Sequence, residues 1–432
     1  MKIQNNYNKN HTNFNGYDAR KLKGFVMNSN YANIAGEMKK IGDIENFKVY
    51  LFQRKGHELD LVTDKFEKNN SHKGCWAQDI WGIVKNNLLA YENAEKSEFL
   101  QNMFKLKPNK FKTEIHNKMN VPQMQSYIDL LYNLPIEKKD GKPVIKLVTE
   151  DGVSYIDKKL FDAEFKINTQ ILKNIYNHTH VKGGNYFLTR NAKGEDELLI
   201  GKGELKKFSI DEIKQMFMTD KIHIIPQADF HLDLFIRPLK DKKVLIADDE
   251  MMLQILNKGF KKIQEAVINS PASEKEKFRE PFVKLGTYFQ QFKNIIEINP
   301  YSNMKEVENA LIKAGYEPIK VPGRIFEIMQ NLEPENTEYL LKHSLNYINA
   351  NTLINDKNEL IYITNKSSLD DMLGLTPEIK SKINFSIENE FLEAVKPHVD
   401  KVYFISGENN ALTRLLPEYN GGIHCMAMEV PN

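Results

Sequence analysis

The sequence predicts a mixed α/β fold for this chain of 432 residues, and three observations support the prediction. Short apolar runs such as Ile222–Pro226 and Val244–Ala247 have the length of buried strands. These runs alternate with longer segments in which apolar residues recur at helical spacing, such as Met251–Val267. Hydrophobic residues make up 41% of the chain and charged residues 27%, which is ordinary for a globular protein. The alternation favours an α/β fold over separate helical and sheet domains.

In the first half of the chain, strands are predicted where β-branched and aromatic residues lie between polar turns. These strands are Lys48–Phe52, Asp79–Val84, Val144–Thr149, Asn185–Thr189 and Glu197–Ile200. Helices are predicted at Gln123–Leu134 and Phe161–Tyr176, and Pro122 suits a helix start because its fixed φ fits the first turn. The Lys/Asn-rich stretch around 85–142 interrupts the alternation, and we interpret it as a helical insertion.

The second half continues the alternation. Its predicted strands are Ile222–Ile225, Leu232–Ile236, Val244–Ala247, Pro318–Val321, Asn346–Leu353, Glu359–Ile363, Lys401–Ile405 and Gly422–Met428. Its predicted helices are Met251–Val267, Pro281–Ile295, Val307–Ala314 and Ile387–Val395. The acidic run Asp248–Glu250 is interpreted as a helix start, since carboxylates are favourable near the positive end of a helix dipole.

Several classes of protein are disfavoured by composition. The 60 Lys and Arg residues nearly balance the 58 Asp and Glu residues, so nothing predicts wholesale binding of nucleic acid. The two cysteines, Cys75 and Cys425, cannot form a disulfide framework, which favours a reducing compartment but leaves open a secreted protein without disulfides. Residues 1–20 are Asn-rich and are expected to be disordered. They have no apolar core of a signal peptide, and no apolar run spans a membrane, so a cytoplasmic protein without membrane contact is expected.

Four segments combine residue types that are unusual for packing: Gly74–Trp81, Gly183–Phe187, His231–Phe235 and Gly421–Met426. In a strand, His231 and Asp233 would project to the same side because residues two apart share a face. Taken singly, each segment has an ordinary structural explanation, such as a turn or a buried cysteine. Likewise, His178 and His180 are interpreted as part of a solvated loop, since no Cys/His cluster accompanies them as a metal site requires.

Together the four segments have a common chemical meaning. A guanidinium is a planar cation whose N–H donors match carboxylates, and Asp79 and Asp233 could bind it from two sides. Breaking one of its C–N bonds needs a nucleophile and a proton shuttle, which Cys425 and His231 could provide. Cys75 is interpreted as a packing residue.

The order of these motifs resembles the guanidine-group-modifying superfamily, which includes peptidylarginine, agmatine and arginine deiminases and amidinotransferases. The resemblance is carried by Trp76-Ala77-Gln78-Asp79, Gly184-Asn185, His231-Leu232-Asp233 and His424-Cys425. It implies a five-bladed α/β propeller, or pentein, in which ββαβ units are arranged with pseudo-fivefold symmetry. It also implies a single catalytic domain over 21–432.

The resemblance assigns a role to each motif residue. Asp79 and Asp233 would bind the guanidinium, with Trp76 and Asn185 as further substrate-binding residues. His231 would be the general acid and base, and Cys425 would attack the guanidinium carbon. The implied reaction is hydrolysis through a covalent thiouronium to a ureido (citrulline-type) product and ammonia, as in citrullination.

The motifs do not agree on one branch of the superfamily. Trp76-x-Gln78-Asp79 and the stretch 231–247 are closest to the peptidylarginine deiminases. Lys182 stands where arginine and agmatine deiminases usually carry Glu, whereas the stretch 421–428 is closer to these small-molecule enzymes. The sequence leaves open a peptidyl or free guanidino substrate, an amidinotransferase, a non-catalytic binding module and, as a weaker reading, a cysteine protease. It also leaves the oligomeric state open.

No cofactor is expected. The vertebrate peptidylarginine enzymes hold calcium near the site through a Gln and two Glu residues. Here Gln78 matches, but Gly82 and Phe187 stand where the carboxylates would be. Because calcium prefers several oxygen ligands including carboxylates, we predict no calcium at this position.

Overall fold

The structure is a computed structural model, and it describes residues 3–4, 21–28, 32–55, 58–62, 77–85, 87–90, 103–105, 107–108, 136–149, 152–159, 181, 183–191, 194–298, 303–323, 325–329, 340–344, 346–366, 374–407 and 422–431. These residues form a mixed α/β arrangement of small sheets and helices. No helix among them is long and apolar enough to cross a membrane.

Among the described strands, five sheets each contain a set of three strands that are paired in the same pattern. In each set the first strand pairs antiparallel with the second, and the second pairs parallel with the third. The sets are Trp81–Val84, Asn87–Ala90 and Lys107–Pro108; Tyr186–Arg190, Asp196–Gly201 and Ile222–Ile225; Ile236–Pro238, Lys243–Ala247 and Glu317–Val321; Asn351–Ile354, Leu360–Asn365 and Lys401–Ile405; and Ala427–Pro431, Leu22–Asn28 and Lys48–Lys55. The last set joins strands from both ends of the sequence.

Further strands extend these sheets or pair beside them. Ile3–Gln4 pairs with Lys401–Ile405, and Glu58–Val62 forms a hairpin with Lys48–Lys55. The remaining strands form a three-stranded meander and a two-stranded hairpin, and they are Ile136–Lys139, Lys142–Thr149, Gly152–Asp157, Ile325–Met329 and Leu340–Ser344.

Helices connect the second and third strands of four sets, because parallel strands need a long crossover. These helices are Ala32–Glu45, Ile210–Phe217, Asp249–Asn269, Ala272–Ile298, Met304–Lys313, Pro377–Ile383 and Ile387–Val395. Their starts follow the sequence chemistry. Ser209 forms a capping box with Glu212, and Asp248 and Ser386 accept hydrogen bonds from backbone N–H groups of the first turn.

The core lies between the sheets and these helices. Apolar side chains of Lys243–Ala247 pack with those of Asp249–Asn269 and Ala272–Ile298 in the largest cluster. Within it, Tyr347 stacks on Phe391 with ring centroids 4.4 Å apart. Burying such rings is the main favourable contribution to folding.

Most predicted elements are confirmed within a residue or two, for example Lys401–Ile405 and Ile387–Val395. The predicted helix start at Pro281 is wrong, because Pro281 lies inside the helix Ala272–Ile298. Phe278, Leu285 and Phe292 are all buried on either side of the proline. Their packing offsets the cost of a proline in a helix interior.

Three predicted strands are wrong at their starts. Asp79–Val84, Leu232–Ile236 and Gly422–Met428 each contain a short helical turn before the strand proper. Asn346–Leu353 is also too long, since the strand begins at Asn351. The Asn346 side chain accepts hydrogen bonds from the N–H groups of Ile348 and Asn349, which turns the backbone before that strand.

Other predictions fall wholly or partly beyond the described residues. The helices Gln123–Leu134 and Phe161–Tyr176 lie outside them, as does most of the tail 1–20. Within the predicted helical insertion around 85–142, the described segments 87–90, 107–108 and 136–139 are strands.

Candidate functional site

Four short helical turns carry the motif segments, and each comes directly before the first strand of a three-stranded set. The turns are Ala77–Ile80, Gly183–Asn185, Leu232–Leu234 and Ile423–Met426. The first turn contacts the second and the fourth, and the second also contacts the third and the fourth. Residues as distant in sequence as Gln78 and His424, 346 positions apart, are therefore neighbours in space.

Cys425 lies in the last of these turns and is a free, buried cysteine. Its Sγ is 3.2 Å from Asp233 Oδ2, and the thiol is placed to donate to this carboxylate oxygen. Asn349 Nδ2 also lies 3.2 Å from Sγ and donates to it. The structure therefore brings the predicted nucleophile and one predicted guanidinium-binding carboxylate into direct contact.

Asp233 Oδ2 has a second partner, since His424 Nδ1 lies 2.7 Å away. On the other side of the imidazole, His424 Nε2 is 2.8 Å from Gln78 Nε2. Burial lowers the pKa of His424 well below its usual range, and the charges of Arg237 and His231 lower it further. The imidazole is therefore neutral, and its neighbours assign the tautomer: Nδ1–H donates to Asp233, and Nε2 accepts from Gln78.

His231 caps the turn Leu232–Leu234 and is buried. The expectation that His231 and Asp233 share a face of a strand is wrong, because Asp233 lies within a turn. Both side chains nevertheless lie against Gly184. A Cβ atom on Gly184 would be 2.5 Å from His231 Nδ1 and 3.0 Å from Asp233 Oδ1. The glycine thus provides the space in which the two groups meet.

Asn349 is a site residue to which the sequence analysis gave no role. Its Oδ1 accepts from the backbone N–H of His424 at 3.0 Å, and its Nδ2 donates to the carbonyl of Asp233 as well as to Cys425 Sγ. It therefore joins the two turns that carry the nucleophile and the carboxylate. His424, next to Cys425 in the sequence, likewise received no role. For His424 the signal is a polar residue inside the apolar run 423–428, and for Asn349 it is the recurrence of asparagine at 346, 349 and 351.

The side chain of Asn185, predicted to bind substrate, is engaged by the protein. Its Nδ2 donates to Glu204 Oε1 at 2.7 Å, and its Oδ1 accepts from Gln227 Nε2 and from the backbone N–H of Leu232. These bonds favour a positioning role for Asn185 over direct contact with substrate. They join the turn that carries Asp233 to Glu204 and Gln227 through the side chain of Asn185.

Arg237 lies on the strand Ile236–Pro238 that follows Asp233, and its side chain is only 2% exposed. Its Nη2 donates to Glu429 Oε1 and Thr352 Oγ1, each at 3.2 Å. The guanidinium also lies over the ring of Phe187, with Cζ 5.2 Å from the centroid. Its Nε and Nη1 have no hydrogen-bond partner among the described residues. Arg237 lines a small cavity that Gln78 and His424 also line.

Two predicted site residues are described only in part or not at all. The backbone of Asp79 lies in the turn Ala77–Ile80, which places it beside Gly183–Asn185 and Ile423–Met426. Trp76 lies outside the described residues. In the described part of the chain, no group of three His, Cys, Asp or Glu side chains is arranged to hold a metal ion. Gly82 and Phe187 stand at the positions where the calcium-binding relatives carry carboxylates. Both residues line the same cavity as Gln78.

The chain has weak similarities to known proteins. No family model matches it. Trigger factor from Borreliella afzelii (strain PKo) is 21% identical over 233 residues, which are 53% of this chain and 47% of that protein, so the match spans about half of each. Among solved structures, C. jejuni agmatine deiminase is 13% identical, with 98% of this chain and 99% of that chain covered and a TM-score of 0.37. At these levels neither similarity assigns the chain to a family.

Proposed function

We propose that this protein is a hydrolase that deiminates a guanidine group to a ureido product and ammonia. The proposal rests chiefly on one observation: the thiol of Cys425 contacts the carboxylate of Asp233, which is also held by a neutral His424. A nucleophile, an anion suited to a guanidinium and a nearby second histidine, His231, are the parts that this reaction needs.

In the proposed reaction, Asp79 and Asp233 bind the guanidinium, the Cys425 thiol gives its proton to His231, and Sγ forms a bond to the central carbon of the guanidinium. His231 gives a proton to one nitrogen, whose C–N bond breaks so that ammonia leaves and a thiouronium remains. His231 then takes a proton from water as the water oxygen bonds to the same carbon. The C–S bond then breaks, and the hydroxyl group gained from water loses its proton to solvent. The ureido product is released, with the Cys425 thiolate and a protonated His231 restored.

The architecture that we propose is the five-bladed propeller, with each three-stranded set as one blade. It is supported by the shared strand pairing of the five sets and by the contacts among the four helical turns that precede the first strands of four of them. Such an arrangement would gather one turn from each blade around a common axis. It would explain why one site needs residues from Gln78 to Cys425.

The substrate that we favour is an arginine residue of a protein, on the sequence pattern around Trp76-x-Gln78-Asp79. Free arginine and agmatine are the alternatives. The experiment is a colour assay for ureido groups, together with ammonia release, on arginine, agmatine and an arginyl peptide. We expect ureido product from at least one of them in water alone. Turnover that requires an added amine would instead indicate an amidinotransferase.

The test of the covalent step compares the two cysteines of the chain. Cys425→Ser should lower kcat by about a thousandfold or more, because a hydroxyl is a far weaker nucleophile than a thiolate near neutral pH. Cys75→Ser, the matched control, should stay within about threefold of the wild type, because Cys75 is interpreted from the sequence as a packing residue without a role in the reaction. Full activity in Cys425→Ser, or no ureido product with any guanidine, would overturn the proposal.

A further inference from the structure

The side chain of Phe230 stands at the edge of the candidate site with half of its surface exposed. It is the only phenylalanine among the large, exposed apolar side chains in the part of the chain that the structure describes. Its ring contacts the imidazole of His231, with centroids 4.6 Å apart and planes tilted by 48°. Because His231 is buried and Phe230 is not, the ring continues from the imidazole toward solvent.

The backbone that carries Phe230 is held in place by Gln227. Gln227 Nε2 donates to the carbonyl of Phe230 at 2.9 Å and to Asn185 Oδ1 at 2.9 Å, while its Oε1 accepts from the N–H of Gly203 at 2.6 Å. Asp229 Oδ1 accepts from the N–H of Phe230 itself. The backbone at Phe230 is therefore fixed at the site edge, and the ring is placed there by its contact with His231.

The contacts of Asn185 link this edge to the reacting groups. Asn185 Oδ1 accepts from Gln227 and from the N–H of Leu232, the residue between His231 and Asp233. The side-chain amide of Asn185 therefore holds both Gln227, which binds the backbone of Phe230, and the start of the turn that carries Asp233. A rigid apolar surface at this place is suited to a group that enters next to the reacting carbon.

We propose that Phe230 is a specificity-determining residue whose ring binds the apolar stem that carries the guanidine group. The inference rests on the proposed deiminase function and adds a requirement on the substrate. A guanidinium bound near Asp233 and Cys425 leaves its carbon chain to pass the site edge. Removal of the methylenes of that chain from water against the ring would then contribute to binding. Substrates with an unbranched apolar stem would be favoured over short or polar guanidines.

The test is the inhibition by methyl-, propyl- and pentylguanidine of whichever guanidine the wild-type enzyme turns over. In the wild type we expect the inhibition constant to fall about twofold for each added methylene, less than full burial of each methylene would give. In Phe230→Ala this dependence on chain length should disappear, while methylguanidine binds unchanged. Phe230→Leu, the matched control, keeps an apolar surface and should keep most of the dependence.

Two results would overturn the inference. The first is an equal loss for all three inhibitors in Phe230→Ala, or a lower kcat with a shifted pH profile, because the ring would then act by positioning His231. The second is chain-length dependence that survives in Phe230→Ala. Calorimetric titration of the same three alkylguanidines into Cys425→Ala distinguishes failure of this inference from failure of the proposed function. If the protein turns over no guanidine but binds the alkylguanidines with an affinity that rises with chain length and depends on Phe230, only the proposed reaction is refuted. If it binds none of them, both proposals are refuted.

Discussion

His424 donates its Nδ1 proton to Asp233 at 2.7 Å, so a neutral histidine holds the carboxylate that contacts the candidate nucleophile. The imidazole is fixed from its other side by Gln78. A protonated His424 would have to give a proton toward Gln78 Nε2, which is itself a donor. With the Gln78 amide in this orientation, the arrangement is complete only while His424 is neutral.

This arrangement predicts a pH dependence of stability. Burial and the nearby charges lower the pKa of His424 in the folded state, whereas in the unfolded chain it titrates near 6.5. Below about pH 6.5 the unfolded chain binds a proton that the folded chain does not, so the free energy of unfolding falls as pH falls. The contribution is at most about 1.4 kcal/mol per pH unit.

Urea denaturation of the wild type and of His424→Gln at pH 7.5, 6.5 and 5.5 measures this effect. Glutamine can still donate to Asp233 but does not titrate, and the other histidines are common to both proteins. We expect the wild type to lose its advantage over the variant as pH falls. An advantage that is constant across the three pH values would contradict the assignment of a neutral His424.

Gly184→Ala should abolish activity. The added Cβ would lie 2.5 Å from His231 Nδ1, so the imidazole must move. We expect kcat to fall about a hundredfold or more, because small misplacements of a catalytic group are costly. Gly36→Ala is the control: its Cβ meets nothing within 4 Å, and alanine in the helix Ala32–Glu45 should stabilise the protein by up to about 1 kcal/mol. Native activity in Gly184→Ala would rule out His231 at its assigned position.

Around Asp233 the backbone departs from what the local sequence pattern predicts. Leu232-Asp233-Leu234 alternates like a half-buried strand, and nothing local argues otherwise. The backbone turns because of distant partners: Asn185 Oδ1 accepts from the N–H of Leu232, and Asn346 Nδ2 donates to the carbonyl of Leu234. Regular elements such as Lys401–Ile405 are predictable because their periodicity is local. The turns that build the site depend on side chains from other segments, so periodicity alone misses them.

Asn349 offers a test of the surroundings of Cys425, the candidate nucleophile. Its Nδ2 donates to Cys425 Sγ and to the carbonyl of Asp233. Asn349→Asp replaces this donor by an anionic oxygen, which disfavours a thiolate at the same place. We expect the rate of alkylation of Cys425 by iodoacetamide at pH 7.5 to fall about tenfold, on the scale of a lost hydrogen bond to a charged group. Mass spectrometry identifies the labelled cysteine, and Asn349→Ser, which retains a small donor, should lie between the two. Equal rates in all three proteins would contradict the contact.

Removal of calcium tests the sequence prediction about metal. Gly82 and Phe187 supply no carboxylate beside Gln78, so EDTA should leave activity within about twofold, and added calcium should not raise it. Dialysis against EDTA followed by the ureido assay, with and without millimolar calcium, measures this. A clear calcium-dependent rise would mean that other residues bind the ion.

The ion pair between Arg237 and Glu429 should be asymmetric in its effect on stability. Arg237 is 2% exposed and Glu429 is 29% exposed, so the charge left behind differs between the two single variants. Glu429→Leu leaves a buried cation that has lost its direct partner and should cost about 3–5 kcal/mol. Arg237→Met leaves a carboxylate that can reach water and should cost less, about 1–2 kcal/mol. Urea denaturation of both single variants and the double variant gives the coupling energy between the two side chains, and equal costs would contradict the difference in burial.

Arg237 is also one of the charges that lower the pKa of His424. Arg237→Met should therefore narrow the pH range over which stability falls, a change that loss of packing alone would not produce.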